Sequence, residues 1–174
     1  MTSFEFDPRQ DLRSYRNALG SFATGVTVVT TLRENGEPVG LTANSFTSVS
    51  LEPPLVLWSL ARKSPSLGAF EVCNHFGINV LAADQAEHST RFAAPRPDKF
   101  AGMDWQLSKE NVPLLADVTM QLICETQQRI EAGDHIMFLA RVLRYNLRQV
   151  EPLIYCRGAY LGGKGLAGQG ALPC

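Results

Sequence analysis

Short runs of apolar and β-branched residues, joined by turns rather than by helices, constrain the fold of this chain most strongly. The run Val26–Leu32 is β-branched almost throughout and predicts a strand. Asn35-Gly36 follows it and predicts a hairpin, because this dipeptide tolerates the positive φ values of tight hairpin turns, and Pro38–Leu41 is then the returning strand. Further strands are predicted at Leu55–Leu60, Phe76–Leu81, Val118–Ile130, His135–Tyr145 and Leu153–Cys156. The pattern predicts a mainly β fold with peripheral helices, an antiparallel barrel rather than a doubly wound sheet.

Three short helices are predicted beside these strands. In residues 9–23 apolar side chains recur every three or four positions, which is the spacing of one helical face. Asp7-Pro8 precedes them as the predicted N-cap and first helical residue. Ser64-Pro65 predicts the start of a second helix that ends near Cys73, and Asp84 predicts the cap of a third.

The stretch Leu41–Val56, LTANSFTSVSLEPPLV, combines small polar residues with a following apolar strand. From Thr42 to Ser48 it contains one large side chain, Phe46. Small side chains let a ligand approach the backbone closely, and hydroxyl and amide groups offer short donors and acceptors. Pro53 and Pro54 then mark a loop or the start of a strand. The stretch predicts a polar cradle for a ligand, and the alternative is a Ser/Thr-rich edge strand with a turn.

The segment Arg62–Ser66 places two basic and two hydroxyl side chains at a predicted helix start. Positive charge and free N–H groups at a helix N-terminus attract anions, so the segment is a candidate phosphate site. The alternative is an ordinary capped helix with a solvated basic start. The other polar features are Arg91-Phe92, Lys99-Phe100, His135 and Tyr160. Together these groups supply hydrogen-bond donors, positive charge and aromatic faces, which suits an aromatic cofactor that carries phosphate.

Composition argues against several classes of function. The net charge is −1 and no basic face is visible, so we expect no nucleic-acid partner. No stretch approaches the roughly 20 apolar residues of a membrane span, and the N-terminal MTSFEFDPRQ predicts no signal peptide. Three isolated histidines and four well-separated cysteines predict neither a metal site nor a disulfide framework. We therefore expect free thiols in a reducing cytoplasm.

Residues 162–174 are rich in glycine and predict a disordered tail, which leaves one domain over residues 1–161. Gly163, Gly165 and Gly168 match the dinucleotide-binding pattern G-x-G-x-x-G. That pattern requires a following helix within a strand–helix–strand unit, and none is predicted here. The match is therefore interpreted as chance.

Several separated segments together resemble the flavin reductase-like proteins, which have the flavin-binding split-barrel fold and serve as reductase components of two-component flavin monooxygenases. The resemblance runs from about Tyr15 to Tyr160. The matching segments, in order, are Arg16–Thr31, Leu41–Val56, Phe76–Leu81, Arg91-Phe92-Ala93, Gly133-Asp134-His135 and Arg157-Gly158-Ala159-Tyr160. Several matches in the right order are more specific than any one of them. The Gly-rich tail has no family role that we can name.

The resemblance implies roles for individual residues. The residues implied to line the flavin are Thr42, Ala43, Asn44, Ser45, Phe46 and Ser48. Those implied to approach the ribityl phosphate are Ser59, Arg62, Lys63, Ser64 and Ser66. Those implied to close the flavin site or flank its mouth are Arg91, Phe92, Phe100 and Tyr160, with His135 on the nicotinamide side. The alternative for the three aromatic residues is core or dimer packing, and for His135 it is a hairpin-turn histidine bonded to Asp134.

The implied activity is that of an NAD(P)H:flavin oxidoreductase, in which hydride passes from NADH or NADPH to FMN or FAD. Reduced flavin would then go to a partner monooxygenase. The resemblance also implies a homodimer with sites at the subunit interface. The alternatives are a flavin-binding carrier or sensor without turnover and a pyridoxamine-phosphate-oxidase-like enzyme. The sequence leaves open which flavin and which nicotinamide are used, and whether the flavin is a substrate or a prosthetic group.

Overall fold

A computed structural model describes residues 7–161, which form twelve strands and three helices. The helices are α1 (Leu12–Leu19), α2 (Leu67–Val72) and α3 (Ala86–Ala93). The strands are β1 (Thr24–Gly25), β2 (Thr27–Leu32), β3 (Pro38–Ala43), β4 (Thr47–Leu51), β5 (Pro54–Ala61), β6 (His75–Val80), β7 (Trp105–Leu107), β8 (Pro113–Leu115), β9 (Met120–Ala132), β10 (His135–Leu147), β11 (Ile154–Cys156) and β12 (Ala159–Leu161). The predicted tail, residues 162–174, lies outside the described residues.

Seven strands form one antiparallel sheet in the order β3-β2-β6-β9-β10-β5-β4. The sheet curls until β3 contacts β5. Ser45, just after β3, joins the two strands, because its hydroxyl donates to the Ser59 carbonyl at 3.0 Å and accepts from the Ser59 amide at 2.9 Å. Two smaller sheets, β1-β11-β12 and β7-β8, complete the fold. The predicted mainly β, antiparallel split barrel with three peripheral helices is confirmed.

Two hairpins set the register of the sheet. Gly36 has φ +83° between β2 and β3, and its amide donates to the Arg33 carbonyl at 2.9 Å, as the Asn-Gly dipeptide predicts. Gly133 has φ +61° between β9 and β10, a conformation that glycine adopts without steric cost. The second hairpin places His135 at the first position of β10, where it pairs with Ala61 at the end of β5. This pairing brings the hairpin to the end of the barrel where β5 leaves the sheet.

The main core lies inside the barrel and is rich in aromatic rings. Trp58 stacks on Phe138 with ring centroids 4.8 Å apart, and Phe70 and Phe76 contact the indole from other sides. All four side chains are fully buried, and burial of each such ring stabilises the fold by about 1.5–3 kcal/mol. Because side chains alternate along a strand, Ser59 lies on the opposite face of β5 from Trp58 and is only half-buried.

The helix starts differ from their predictions. The N-cap of α1 is Asp11, whose carboxylate accepts from the Ser14 amide at 2.9 Å, whereas Asp7 bonds Arg9 instead. The segment Ser64–Ser66 forms a turn before α2, in which the Leu67 amide donates to the Ser64 carbonyl at 3.1 Å. The N-cap of α3 is Gln85 rather than Asp84, and its side chain makes no capping bond. The short strands β1, β7, β8 and β12 were not predicted, and β4, at the edge of the seven-stranded sheet, is the Ser/Thr-rich edge strand that the sequence left open as an alternative.

Candidate functional site

A cleft of about 380 Å³ lies at the end of the barrel, between the β3–β4 connection, β5 and α3. Its size falls within the range of ligand-binding pockets, about 300–1,000 Å³. Predicted site residues that line it are Thr42, Ala43, Asn44, Ser45, Ser59, Ser64, Ser66, Phe92 and His135. The fold therefore brings together residues from five separate stretches of the chain.

The wall of the cleft formed by Thr42–Ser45 is held in place by hydrogen bonds to neighbouring elements. The Thr42 hydroxyl donates to the Ser89 carbonyl of α3 at 2.6 Å, and the Ala43 carbonyl accepts from the Thr27 hydroxyl at 2.7 Å. Ser45 is held by both backbone groups of Ser59, as described above. The Asn44 side chain is exposed at the cleft and makes no hydrogen bond to another residue of the range 7–161. The backbone of the wall is thus rigid, while the Asn44 amide is free to bind a ligand.

Phe92 packs beneath the cleft and forms its apolar floor. Its ring is fully buried and meets Phe100 edge to face, with centroids 5.0 Å apart. Gly40 of β3 lies against it so closely that an added Cβ would stand 2.6 Å from the Phe92 ring. Both phenylalanine rings therefore pack in a core cluster, the alternative left open by the sequence. Phe100 lines the neighbouring compartment rather than the cleft itself.

Lys99 places a cation at the cleft. Its ammonium donates to the Phe92 carbonyl at 2.7 Å and to the Gly40 carbonyl at 3.1 Å. It makes no ion pair with any residue between 7 and 161, and burial lowers the pKa of the lysine. The sequence shows Lys99 as a polar feature, but the resemblance gave it no role. Its approach to β3 is a long-range contact that no local pattern could reveal.

His135 lines the opposite wall of the cleft, and its ring is oriented by Asp134. Its Nδ1 lies 2.7 Å from the Asp134 carboxylate, and its side chain is 44% exposed. The hydrogen bond from His135 lowers the pKa of Asp134, which stays an ionised acceptor. Because a carboxylate only accepts, Nδ1 is the donor, and Nε2 is the ring nitrogen left for a ligand.

The predicted phosphate contacts Arg62 and Lys63 do not line the cleft. The Arg62 guanidinium donates to the Gly133 carbonyl at 3.2 Å and pairs with Glu131 at 3.0 Å, so it ties β5 to the β9–β10 hairpin. Lys63 is exposed to solvent. The turn over Ser64–Ser66 delays the helix start, which separates the basic side chains from the hydroxyl groups that do reach the cleft.

Four further predicted residues lie away from the cleft. Phe46 packs against the main core, and Ser48 is exposed on β4. Arg91 donates to the carbonyls of Asp98 and Ala101, which orders the loop after α3. Tyr160 donates to the Ser89 hydroxyl at 2.8 Å and lines a separate depression with Arg91. The last two therefore support α3, which carries one wall of the cleft.

The described part of the chain contains no site that is suited to metal or thiol chemistry. No group of three or more His, Cys, Asp or Glu side chains in residues 7–161 is arranged to hold a metal ion. Cys73, Cys124 and Cys156 are free thiols, and burial raises the pKa of Cys124 to about 12, where it is unreactive at neutral pH. No helix over the same range is long and apolar enough to cross a membrane.

Comparison with known proteins shows the family to which this chain belongs. The family model described as "Flavin reductase like domain" matches residues 19–164. The chain belongs to this family. The resemblance expected from the sequence is confirmed, and the matched residues 19–164 include every residue that lines the cleft.

Named relatives are similar over most of this chain. The reductase component of a flavin-dependent trigonelline monooxygenase from Acinetobacter baylyi is 44% identical over 90% of this chain and 50% of its own length. The FMN reductase (NADH) SmoA of Agrobacterium fabrum is 44% identical over 87% of this chain and 86% of its own. The NADH:FAD oxidoreductase SgcE6 of Streptomyces globisporus, solved with NAD and FAD fragments, is 35% identical with a TM-score of 0.88, over 95% of this chain and all of its own.

This flavin reductase-like chain spans about half to two thirds of the length of some curated relatives it matches, namely 54%, 50% and 66% of three of them. The remaining parts of those proteins lie outside these matches. The family is shown by the match over residues 19–164.

Proposed function

We propose that this protein is an NAD(P)H:flavin oxidoreductase whose flavin ring and nicotinamide meet in the 380 Å³ cleft. One observation carries the proposal: in a chain of the flavin reductase-like family, the Thr42–Ser45 wall, the Lys99 ammonium and the His135 ring all face one cleft. Relatives named FMN reductase (NADH) and NADH:FAD oxidoreductase support the reaction.

The residues of the cleft fit a flavin in three ways. The rigid backbone of the Thr42–Ser45 wall and the free Asn44 amide offer donors and acceptors to the polar edge of a flavin ring. The unpaired Lys99 cation suits a phosphate, because a charge-assisted hydrogen bond is stronger than a neutral one. Pro95 supplies apolar surface beside the ring position, and the buried Phe92 supports this side of the cleft from beneath.

When bound, a flavin supplies the hydride acceptor and a reduced nicotinamide supplies the hydride. The chain's own groups bind and orient these reactants, and no side chain needs to act as a strong acid or base. His135, whose ring is held by Asp134 at Nδ1, would lie on the nicotinamide side and offer Nε2 to that reactant. Positioning of this kind removes much of the entropic barrier between two reactants.

The test is NADH and NADPH oxidation by the purified protein with FMN or FAD added. The proposal predicts flavin-dependent oxidation of at least one nicotinamide, with the preferred pair read from the four combinations. Flavin binding without any oxidation would support a carrier or sensor instead. Oxidation of pyridoxamine phosphate with no NADH turnover would support the pyridoxamine-phosphate-oxidase-like alternative, although Arg62 and Lys63 lie outside the cleft.

Reduced flavin is proposed to leave for a partner monooxygenase. Two relatives are named reductase components or subunits of flavin-dependent monooxygenases, from Acinetobacter baylyi and Rhodococcus jostii. The cleft supports release, since it opens to solvent along the exposed Asn44 and Ser45. A cytoplasmic location is proposed with it, because the three described cysteines are free thiols.

A homodimer with sites near the interface is also proposed. Helix α1 buries none of its residues in the single chain, and its apolar side chains are exposed, as is that of Phe22 after it. Such a stripe marks an interaction surface rather than ordinary surface. Asn44 lines both the cleft and a depression beside α1, so a second copy that covers α1 would reach the cleft.

A further inference from the structure

Ser89 lies in the middle of α3 and is almost completely buried, with 1% of its surface exposed. A buried hydroxyl group is shielded from water, so its hydrogen-bond partners must lie within the protein. The Ser89 hydroxyl accepts from the Tyr160 hydroxyl at 2.8 Å, and the Ser89 carbonyl accepts from the Thr42 hydroxyl at 2.6 Å. One residue of α3 is therefore bonded both to β12 and to β3.

The two partners of Ser89 differ in their relation to the cleft. Thr42 lines the cleft, whereas Ser89 and Tyr160 lie outside its lining. Tyr160 instead lines the separate depression on another side of α3, together with His88 and Arg91. A change at the Tyr160 hydroxyl can therefore affect a ligand in the cleft only through the protein, and Ser89 provides the connection.

The position of α3 depends on contacts with the rest of the fold. The helix has eight residues, and an isolated helix shorter than about 12 residues is at most marginally stable in water. The side chain of Gln85 holds its start by bonds to two backbone groups outside the helix. Lys99 and Arg91 hold its end through the bonds described above. Between these ends, the two bonds of Ser89 fix the rotation of the helix relative to β3.

We propose that Ser89 is a positioning residue for the flavin, which couples Tyr160 to Thr42 and so fixes the separation of the Thr42–Ser45 wall from the α3 wall. Phe92 and Ala93 of α3 lie at the cleft, so a rotation of the helix would move them relative to Thr42. A ring bound between the two walls would then lose contact with one of them. The inference rests on the proposed function and adds to it a determinant of flavin affinity that lies outside the cleft.

The experiment removes the two bonds of Ser89 one at a time. Tyr160→Phe and Ser89→Ala each remove the bond to β12 and leave the Ser89 carbonyl in place, whereas Thr42→Val removes the bond to β3. Tyr160→Phe is also made in the Thr42→Val background. The control is Tyr155→Phe, which removes a hydroxyl from the same small sheet, on a ring whose centroid lies 5.3 Å from that of Tyr160, and keeps the bond to Ser89. For each variant we would measure the flavin dissociation constant, the NADH Michaelis constant at saturating flavin and the free energy of unfolding.

The expected result is a rise of about three- to tenfold in the flavin dissociation constant of Tyr160→Phe and of Ser89→Ala, the effect of one lost hydrogen bond. The NADH Michaelis constant should change by less than about twofold, and Tyr155→Phe should match the wild type. In the Thr42→Val background, Tyr160→Phe should cause no further loss of flavin affinity, because the connection to the cleft wall is already broken.

Two results would overturn the inference. A lower free energy of unfolding with unchanged flavin affinity would assign Ser89 to the stability of the fold alone, and an equal loss from Tyr160→Phe in both backgrounds would show that its effect does not pass through Thr42. If Ser89→Ala fails to fold, Tyr160→Phe decides, because it keeps the ring and removes one oxygen. A wild-type protein that binds flavin but reduces none would instead overturn the proposed function, and the flavin affinities would still test the role of Ser89.

Discussion

His135 is held on two sides, by Asp134 at Nδ1 and by the pairing of its backbone with Ala61. Its proposed task is to position the nicotinamide, so its loss should affect the nicotinamide step alone. His135→Ala is expected to raise the Michaelis constant for NADH or slow hydride transfer by about ten- to hundredfold. Steady-state kinetics and flavin titration measure the two effects separately, and the flavin dissociation constant should barely move.

Asp134→Asn is the matched variant for this prediction. An amide still accepts a hydrogen bond from Nδ1 but carries no charge, so a positioning role predicts a smaller defect of the same kind. If His135→Ala keeps normal NADH kinetics, or loses flavin affinity first, the histidine is a hairpin residue of structural importance only.

Some of the predicted site residues lie at the cleft. The Thr42–Ser45 wall was predicted because small polar residues in that stretch indicate a cradle, and Ser59 was implied by the family resemblance; all of them line the cleft. Lys99 received no role, and Arg62 and Lys63 were assigned to a phosphate, because side-chain direction depends on contacts far apart in sequence. Arg62 reaches the β9–β10 hairpin, and Lys99 reaches β3.

At the scale of the elements, the contact between β3 and α3 shapes the cleft. Gly40→Ala would place a Cβ 2.6 Å from the buried Phe92 ring and 3.2 Å from Phe100, so one of the elements must shift. Overpacking of a core typically costs about 1–3 kcal/mol. Gly40→Ala is therefore expected to lower the free energy of unfolding by that amount and to weaken flavin binding, as measured by chemical denaturation and flavin titration.

Gly68→Ala is the control for that substitution. Gly68 lies in α2, and a Cβ there would meet nothing within 4 Å. Alanine favours the helix over glycine, so this variant should match or exceed wild-type stability by up to about 1 kcal/mol. Equal stability of the two variants would show that β3 and α3 are not packed as described.

The elements themselves were predictable to different degrees. The β2–β3 hairpin was predicted because β-branched residues and Asn-Gly act locally, and its glycine has the positive φ expected. The two-residue strand β1 was missed because it is defined by its pairing with β11, near the other end of the described chain. The strand β12 was missed because its three residues are all exposed and show no alternation of buried and exposed positions. Helix α2 was predicted to start too early, since Ser64-Pro65 closes a turn as readily as it caps a helix.

At the scale of the whole molecule, the exposed stripe on α1 predicts an assembly. Leu19 and Phe22 are 58% and 79% exposed, so replacing them costs the single chain little. Leu19→Glu combined with Phe22→Glu should halve the mass measured by sedimentation equilibrium, whereas the control Leu107→Glu, at another exposed leucine, should not. A wild-type monomer, or a double variant that stays dimeric, would contradict the proposed interface.

Hydride is proposed to pass from nicotinamide to flavin inside the 380 Å³ cleft. Anaerobic rapid mixing of protein and flavin with NADH tests it most directly, read as the loss of oxidised-flavin absorbance. Wild type and the control Ala159→Trp should lose that absorbance at the same rate, and deuterium at the nicotinamide C4 should slow it. Ala93→Trp, which adds an indole from the exposed end of α3 that lines the cleft, should abolish it. An unchanged rate in Ala93→Trp, or no absorbance loss in the wild type, would contradict hydride transfer in this cleft.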